Sequence, residues 1–171
     1  MKPRVVLRVA TIVLSATVLA GMLAAAARAN LLTQKSMPTS MALSIAESAF
    51  ESCTKQGYHV SVHVVGRNGE MLVAIRGDGA APHTMENSLR KAYTAFTFGA
   101  PSGEFATKRV KDNPTLGLAH LAGVIAGQGG LPIKVGDEVI GGVGVSGVPN
   151  GADREEACAK AGIDHVADEL K

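Results

Sequence analysis

Apolar residues recur at helical spacing in the segment that follows Pro38-Thr39-Ser40. The Thr-Ser pair is typical of a helix start, and Gly57 is typical of a helix end. The pattern therefore predicts a helix with one apolar face. That face consists of Ala42, Ile45, Ala46, Ala49, Phe50 and Cys53.

The period of the pattern changes to two between Tyr58 and Val65, which predicts a strand. Asn68-Gly69 is a strong signal for a two-residue hairpin loop, and Met71 to Arg76 is the returning strand. This loop sets the register, and the register keeps the valines of both strands on one face. The predicted pairs are Val64 with Val73, Val62 with Ile75, His63 with Ala74 and Ser61 with Arg76.

Three helical stretches are predicted after the hairpin. The first runs from about His83 to Phe98 and is closed by Gly99. The second begins at Ser102 and ends near Lys111. The third opens at Asn113-Pro114 and continues through His120.

The chain becomes rich in glycine from Gly123 onward, and short β-branched runs lie between the glycines. This composition predicts strands at which another group comes close to the backbone. Gly136-Asp137 is the expected turn between a strand at 133–135 and a strand at 138–145. Asp153 and Glu156 resemble a capping box at the start of a final amphipathic helix.

The order of elements predicts a single α+β domain, with a mainly antiparallel sheet of about five strands and flanking helices in a profilin-like arrangement. The mature domain has about 140 residues, which is a usual size for one domain.

The N-terminus has the features of a secretory signal peptide over residues 1–29. A basic segment with Lys2, Arg4 and Arg8 precedes an uncharged apolar run, and Ala27-Arg28-Ala29 forms an A-x-A cleavage site. The expected mature form begins at Asn30 and is periplasmic or secreted. The alternative is a permanent anchor, since the apolar run approaches the roughly 20 residues that span a bilayer.

Cleavage changes the charge of the protein. The full chain has 17 basic and 15 acidic residues, and the segment 1–29 contains four of the basic ones. The mature domain keeps 13 basic residues against 15 acidic ones, a net charge near −2. Nucleic acid is therefore an unsuitable partner.

The two cysteines, Cys53 and Cys158, suggest a disulfide in an exported chain. The alternative is that both are small buried apolar residues. No C-x-x-C is present, so a thiol-redox site, a thiolate zinc site and covalent haem attachment lack their motifs.

Several catalytic and nucleotide-binding motifs are absent or out of context. Residues 142–147 fit G-x-G-x-x-G, but no helix opens on them, so a glycine-rich strand explains them better than dinucleotide binding. The sequence contains no G-x-S-x-G, no H-E-x-x-H and no P-loop. Glu86 is followed one turn later by Leu89, so no carboxylate pair forms there.

The five histidines differ in their sequence surroundings. His59 and His63 share a strand face about 13 Å apart, which is too far to chelate one ion. His83 and His165 are expected at the surface. His120 lies in an apolar segment just before the glycine-rich strands, where a histidine is either a hydrogen-bonded core residue or a ligand.

A cationic and aromatic group lies on the helix at 83–98. Arg90 and Lys91 offer donors for carboxylates, and Tyr93 offers a surface for an apolar ring. The alternative is a solvated cationic helix face.

Several segments together resemble the GlcG/HbpS-like haem-binding family, and they cover nearly all of the mature chain. They are Val62 to Gly69, Arg76-Gly77-Asp78-Gly79-Ala80, Lys91-Ala92-Tyr93-Thr94-Ala95, Gly129-Gly130-Leu131-Pro132-Ile133, Gly141 to Gly147 and Ala161-Gly162. Gly66 stands where the family usually has an acidic residue in the hairpin turn.

This resemblance implies a homo-oligomer that binds haem or a related tetrapyrrole non-covalently, and it favours a ligand-binding protein over an enzyme. It makes His120 the first candidate for the iron ligand and His63 the second. Arg90 and Lys91 become propionate partners, with Arg76 and Tyr93 in the same binding set. The roles expected are haem scavenging, storage or sensing. The alternative is an enzyme or accessory protein that acts on a small organic acid.

Overall fold

Helix α1 (Thr39–Thr54) begins and ends where the apolar pattern predicts. The computed structural model describes residues 32–110 and 117–171. Five residues of the predicted apolar face are buried, Ala42, Ile45, Ala46, Ala49 and Cys53. Gly57 follows the helix with φ +82°, a left-handed conformation that favours glycine.

Strands β1 (Ser61–Val65) and β2 (Met71–Arg76) form the predicted antiparallel hairpin. All four predicted pairs are confirmed, and a bulge lies between Val64 and Val65. Strand β1 also pairs with β4 (Glu138–Ser146), which pairs in turn with β3 (Gly130–Val135). The order is β2-β1-β4-β3. The α+β prediction is confirmed, but the sheet in the described ranges has four strands instead of about five.

Helix α2 (His83–Phe98) covers one face of this sheet and ends at Gly99, which has φ +63°. Its backbone rests directly on the glycines of β4. A Cβ at Gly144 would collide with the carbonyl oxygen of Ser88, and one at Gly142 would collide with that of Ala92. The close approach was predicted, and the group that approaches these glycines is a helix of the same chain.

Helices α1 and α4 (Ala152–His165) cover the opposite face, where the main apolar core lies. Cys53 and Cys158 form a disulfide between the two helices, with their Cα atoms 5.6 Å apart. The disulfide hypothesis is therefore confirmed over the alternative of two unbonded cysteines. The predicted capping box is wrong, because α4 has Gly151 at its N-cap with no side-chain cap.

A chain of short helical turns follows α2. They are α3 (Ser102–Glu104), a π-helical turn (Phe105–Val110) and a 3-10 turn (Gly117–His120). The helix start predicted at Ser102 is confirmed. Its predicted end near Lys111, the opening at Asn113-Pro114 and the signal peptide over 1–29 lie outside the described residues. Within the described ranges, no helix has the length and apolar character needed to cross a bilayer.

Candidate functional site

A cleft of about 710 Å³ opens beside the N-terminal half of α2. Its walls come from the residues just before β1, the turn after β2, the first three turns of α2, the chain that leaves β4 and the first turn of α4. Its polar lining includes His59, His83, Thr84, Asn87, Lys91, Ser146 and Glu155. The volume lies within the usual range for small-molecule and cofactor sites.

His59 is exposed at this cleft, and its imidazole is fixed by the turn after β2. Its Nδ1 lies 2.7 Å from the carbonyl oxygen of Asp78. A carbonyl only accepts hydrogen bonds, so this contact is a hydrogen bond only when Nδ1 carries the proton. His83, the first residue of α2, is a second exposed imidazole in the same cleft.

An ion pair between α2 and α4 forms the inner part of the cleft. The Nζ of Lys91 lies 2.6 Å from Oε2 of Glu155 and 3.2 Å from the carbonyl oxygen of Val145, to which it also donates. The Oε1 of Glu155 accepts the backbone N–H groups of Gly147 and Val148, at 2.7 and 3.0 Å. One carboxylate therefore neutralises Lys91 and holds the segment that leaves β4.

His63 lies under α2, outside the lining of the cleft. Its Nδ1 is 2.8 Å from Oγ of Ser88, and that hydroxyl donates to the carbonyl oxygen of Thr84. A parallel contact joins the hydroxyls of Ser61 and Thr84 at 2.7 Å. Burial lowers the pKa of His63 below its ordinary value of 6.5, which favours the neutral imidazole.

These two contacts follow from the geometry of a strand under a helix. Two residues along a strand advance by about 6.6 Å and four residues along a helix by about 6 Å. The Ser61–Thr84 pair and the His63–Ser88 pair can therefore both form. The signal in the sequence is S-x-H in β1 together with T-x-x-x-S in α2.

The remaining predicted site residues are spread over the molecule. Arg76 is near the cleft, because its Nε and Nη2 donate to the carbonyl oxygen of Ala80 at 3.2 and 2.8 Å, and Gly79 and Ala81 line the cleft. Arg90 pairs with Glu86 on the outside of α2, with 3.5 Å between Nη1 and Oε1.

Tyr93 and His120 belong to a different region. The ring of Tyr93 is half-buried between the hairpin loop and a later loop, since Cβ atoms at Gly69 and Gly123 would meet it. His120 is exposed at the end of the 3-10 turn. From there the chain returns to α2, where the N–H of Ile125 donates to Oγ1 of Thr94 at 2.9 Å. The structure thus brings Lys91 into the cleft lining and Arg76 next to it, while Arg90, Tyr93, His63 and His120 lie outside the lining.

His59, His83 and Glu155 line the cleft but were not among the site residues predicted from the sequence. A signal for His59 was present in the predicted hairpin, because extending its register by two residues beyond Ser61 and Arg76 places His59 opposite Asp78. Across residues 32–110 and 117–171, no group of three or more His, Cys, Asp or Glu side chains is arranged to hold a metal ion.

Known proteins share this fold. A double mutant of Streptomyces reticuli HbpS matches with 38% identity and a TM-score of 0.74, over 78% of this chain and 89% of that one. Klebsiella pneumoniae protein ORFY matches with 25% identity and a TM-score of 0.74, over 81% of this chain and 96% of that one. A PduOC:heme complex matches with 24% identity and a TM-score of 0.68, over 75% and 94%, which supports the fold.

The comparison with curated proteins gave no match. The family model described as haem degrading protein HbpS-like matches residues 37–164, nearly all of the described fold. With this match and the 38% identity to HbpS, the chain belongs to the HbpS-like family.

Proposed function

We propose that this protein binds haem non-covalently in the cleft and acts in haem scavenging, storage or sensing after export. The observation that carries the proposal is the imidazole of His59. It is exposed at a cleft of about 710 Å³, and its Nδ1 lies at hydrogen-bond distance from the backbone carbonyl oxygen of Asp78. A ligating histidine usually donates its second ring N–H in this way. Family membership and the neighbour solved with heme point to the same ligand.

The residues around the cleft suit the parts of a haem. Histidine is a common axial ligand of haem iron, and haem when bound supplies an iron centre whose reactivity depends on that ligand. Arg76, held at Ala80, and Arg154, whose Nη1 lies 2.6 Å from the hydroxyl of Tyr58, are cations at the margin. Arginine binds carboxylates in a planar geometry, so both suit propionates.

His120 remains a second candidate for the iron ligand, because it is exposed and its side chain is accessible from solvent. His63 is a third, but α2 would have to move to expose its ring. Lys91 is neutralised by Glu155, so its expected role moves from propionate contact to support of the cleft wall. Tyr93, whose ring lies beside Gly123, suits a ligand held near His120, and Arg90 is a partly exposed cation on the same helix.

The disulfide supports export. Disulfides form and persist mainly in oxidising compartments such as the periplasm and the extracellular space. Cys53 and Cys158 are both fully buried, so their bond belongs to the folded core. This agrees with the A-x-A site before Asn30.

Assembly into a homo-oligomer is part of the proposal, and light scattering at micromolar concentration tests it.

The direct test is titration of the mature chain with haemin, followed by the Soret band. The wild-type protein should give a saturable band, and His59→Ala should shift it and weaken binding. His165→Ala is the matched control, since His165 is exposed at the end of α4 and does not line the cleft. Circular dichroism checks that each variant folds.

Two results would contradict the proposal at different levels. If His59→Ala leaves the band unchanged and His120→Ala removes it, the iron lies on the 3-10 turn. If haemin gives no saturable band with any form of the protein, haem binding itself is rejected. Thermal-shift screening of small organic acids would then test the alternative of an enzyme or accessory protein.

A further inference from the structure

The turn that follows β2 is held at both ends. The N–H of Gly77 donates to the carbonyl oxygen of Val60 at 2.9 Å, and the N–H of Ala80 donates to that of Gly77 at 3.1 Å. The guanidinium of Arg76 donates two further hydrogen bonds to the carbonyl oxygen of Ala80. The peptide group between Asp78 and Gly79 therefore has a fixed orientation relative to the start of β1.

Gly79 lies directly beside the ring of His59. It has φ +76°, which L residues with a side chain rarely adopt. A Cβ at this position would lie 3.1 Å from Nδ1 and 3.3 Å from Cγ of His59. The glycine thus serves two needs, because the turn requires its backbone conformation and the imidazole requires the space beside it.

We propose that the Asp78-Gly79 turn is a positioning element that holds His59 in the tautomer with the proton on Nδ1, so that the ring meets a ligand only through Nε2. The inference rests on the proposed function for its ligand, but the tautomer is a property of the protein alone. The carbonyl of Asp78 sets the proton position, and Gly79 lets the ring approach that carbonyl. A hydrogen bond to the far nitrogen also raises the basicity of a ligating imidazole.

The first measurement needs no mutation and no haem. Long-range ¹H–¹⁵N correlation spectra of the ligand-free protein, recorded at alkaline pH, distinguish the two tautomers through the shifts of the ring nitrogens. The expected result is a protonated Nδ1 and an unprotonated Nε2 for His59. A His59 ring protonated on Nε2 overturns the proposal whatever the protein binds.

The second measurement uses Gly79→Ala, with Gly136→Ala as the matched control. Gly136 has φ +60°, lies in the turn between β3 and β4, and a Cβ there meets nothing within 4 Å. Both variants place alanine in a left-handed conformation, but only the first contacts His59. We expect a mixed tautomer and about 10- to 100-fold weaker haemin binding for Gly79→Ala, the usual loss when a hydrogen-bond partner of a ligand is disturbed. Gly136→Ala should keep both properties of the wild type.

Gly79→Asn separates conformational strain from contact with the ring. Asparagine tolerates the left-handed region, so this variant should fold even if Gly79→Ala does not, while its Cβ still meets the imidazole. The proposal is overturned if the asparagine variant keeps the pure Nδ1–H tautomer and full haemin affinity. A changed tautomer with unchanged haemin affinity supports the positioning role and rejects His59 as the iron ligand, so the two proposals fail separately.

Discussion

The ammonium group of Lys91 lies 2.6 Å from the carboxylate of Glu155, and this pair joins α2 to α4 at the inner part of the cleft. The two side chains keep only 9% and 6% of their exposure. Glu155 also accepts hydrogen bonds from two backbone N–H groups. Its charge is therefore balanced by Lys91, and both of its oxygens accept hydrogen bonds. This pair links the cleft wall to the helix that carries Cys158.

Glu155→Gln should destabilise the protein by about 3–5 kcal/mol, because it leaves the cation of Lys91 buried without a counter-charge. The double variant Lys91→Met with Glu155→Gln should recover part of that loss, since the unpaired charge is gone. Urea denaturation measures both. Lys160→Ala, at an exposed pair with Asp164, is the control and should change stability by no more than about 0.5 kcal/mol. Equal losses in the single and double variants would contradict this account.

The folded protein should lose stability on acidification through His63. Its pKa is lowered by burial, so below about pH 6.5 the unfolded chain binds a proton that the native state resists. The contribution is complete above pH 6.5 and declines as the pH falls toward the native pKa. His63→Asn should flatten the dependence of the unfolding free energy on pH in that window. A wild-type slope retained in His63→Asn would refute the assignment.

The disulfide should be a major source of stability. It joins residues 105 apart in sequence, and closure of so long a loop restricts the unfolded chain strongly. Replacing both Cys53 and Cys158 with alanine should cost about 2–5 kcal/mol. The melting temperature should fall on reduction of the wild type and not change on reduction of the variant. Equal melting temperatures for oxidised wild type and variant would show that the bond contributes nothing.

Gly144→Ala should destabilise the fold, because α2 rests on the backbone of β4 at this glycine. The added methyl group would meet the carbonyl oxygen of Ser88, and overpacking of this kind costs about 1–3 kcal/mol or more. Gly117→Ala is the comparison, since a Cβ there meets nothing within 4 Å. Thermal unfolding of the two variants checks the prediction, which fails if they lose equally little stability.

Export predicts a defined N-terminus. Protein recovered from the periplasm or medium should begin at Asn30, because the A-x-A motif ends at Ala29. Intact-mass analysis measures this. Retention of the residues before Ala27 on recovered protein would favour the anchor instead.

Local patterns in the sequence determined the elements and their pairing. The alternation of valines and the Asn68-Gly69 loop set the β1–β2 register without information from the rest of the chain, because side-chain period and turn type together allow one alignment. The buried face of α1 followed from helical spacing in the same way. Both features depend on residues close together in the sequence.

Less of the candidate site could be predicted from the sequence, because its members are distant from one another along the chain. His59 was expected at a strand surface, and its role depends on Asp78 and on a cleft that the end of β4 completes. Lys91 was expected to be available to an anion, and the structure instead pairs it with a carboxylate 64 residues later. Neither partner can be read from the spacing around the residue itself.

The glycines of β4 show most clearly which features follow from the sequence and which depend on the tertiary structure. The sequence by itself determined that a group approaches their backbone, because Gly142 and Gly144 among β-branched residues leave room for one. Only the tertiary structure decided that the group is helix α2 and that the open space lies beside its first turns, at His59 and His83. Local conformation depends on neighbours in sequence, whereas the position of a cavity depends on how complete surfaces pack, and that packing joins segments that no local pattern connects.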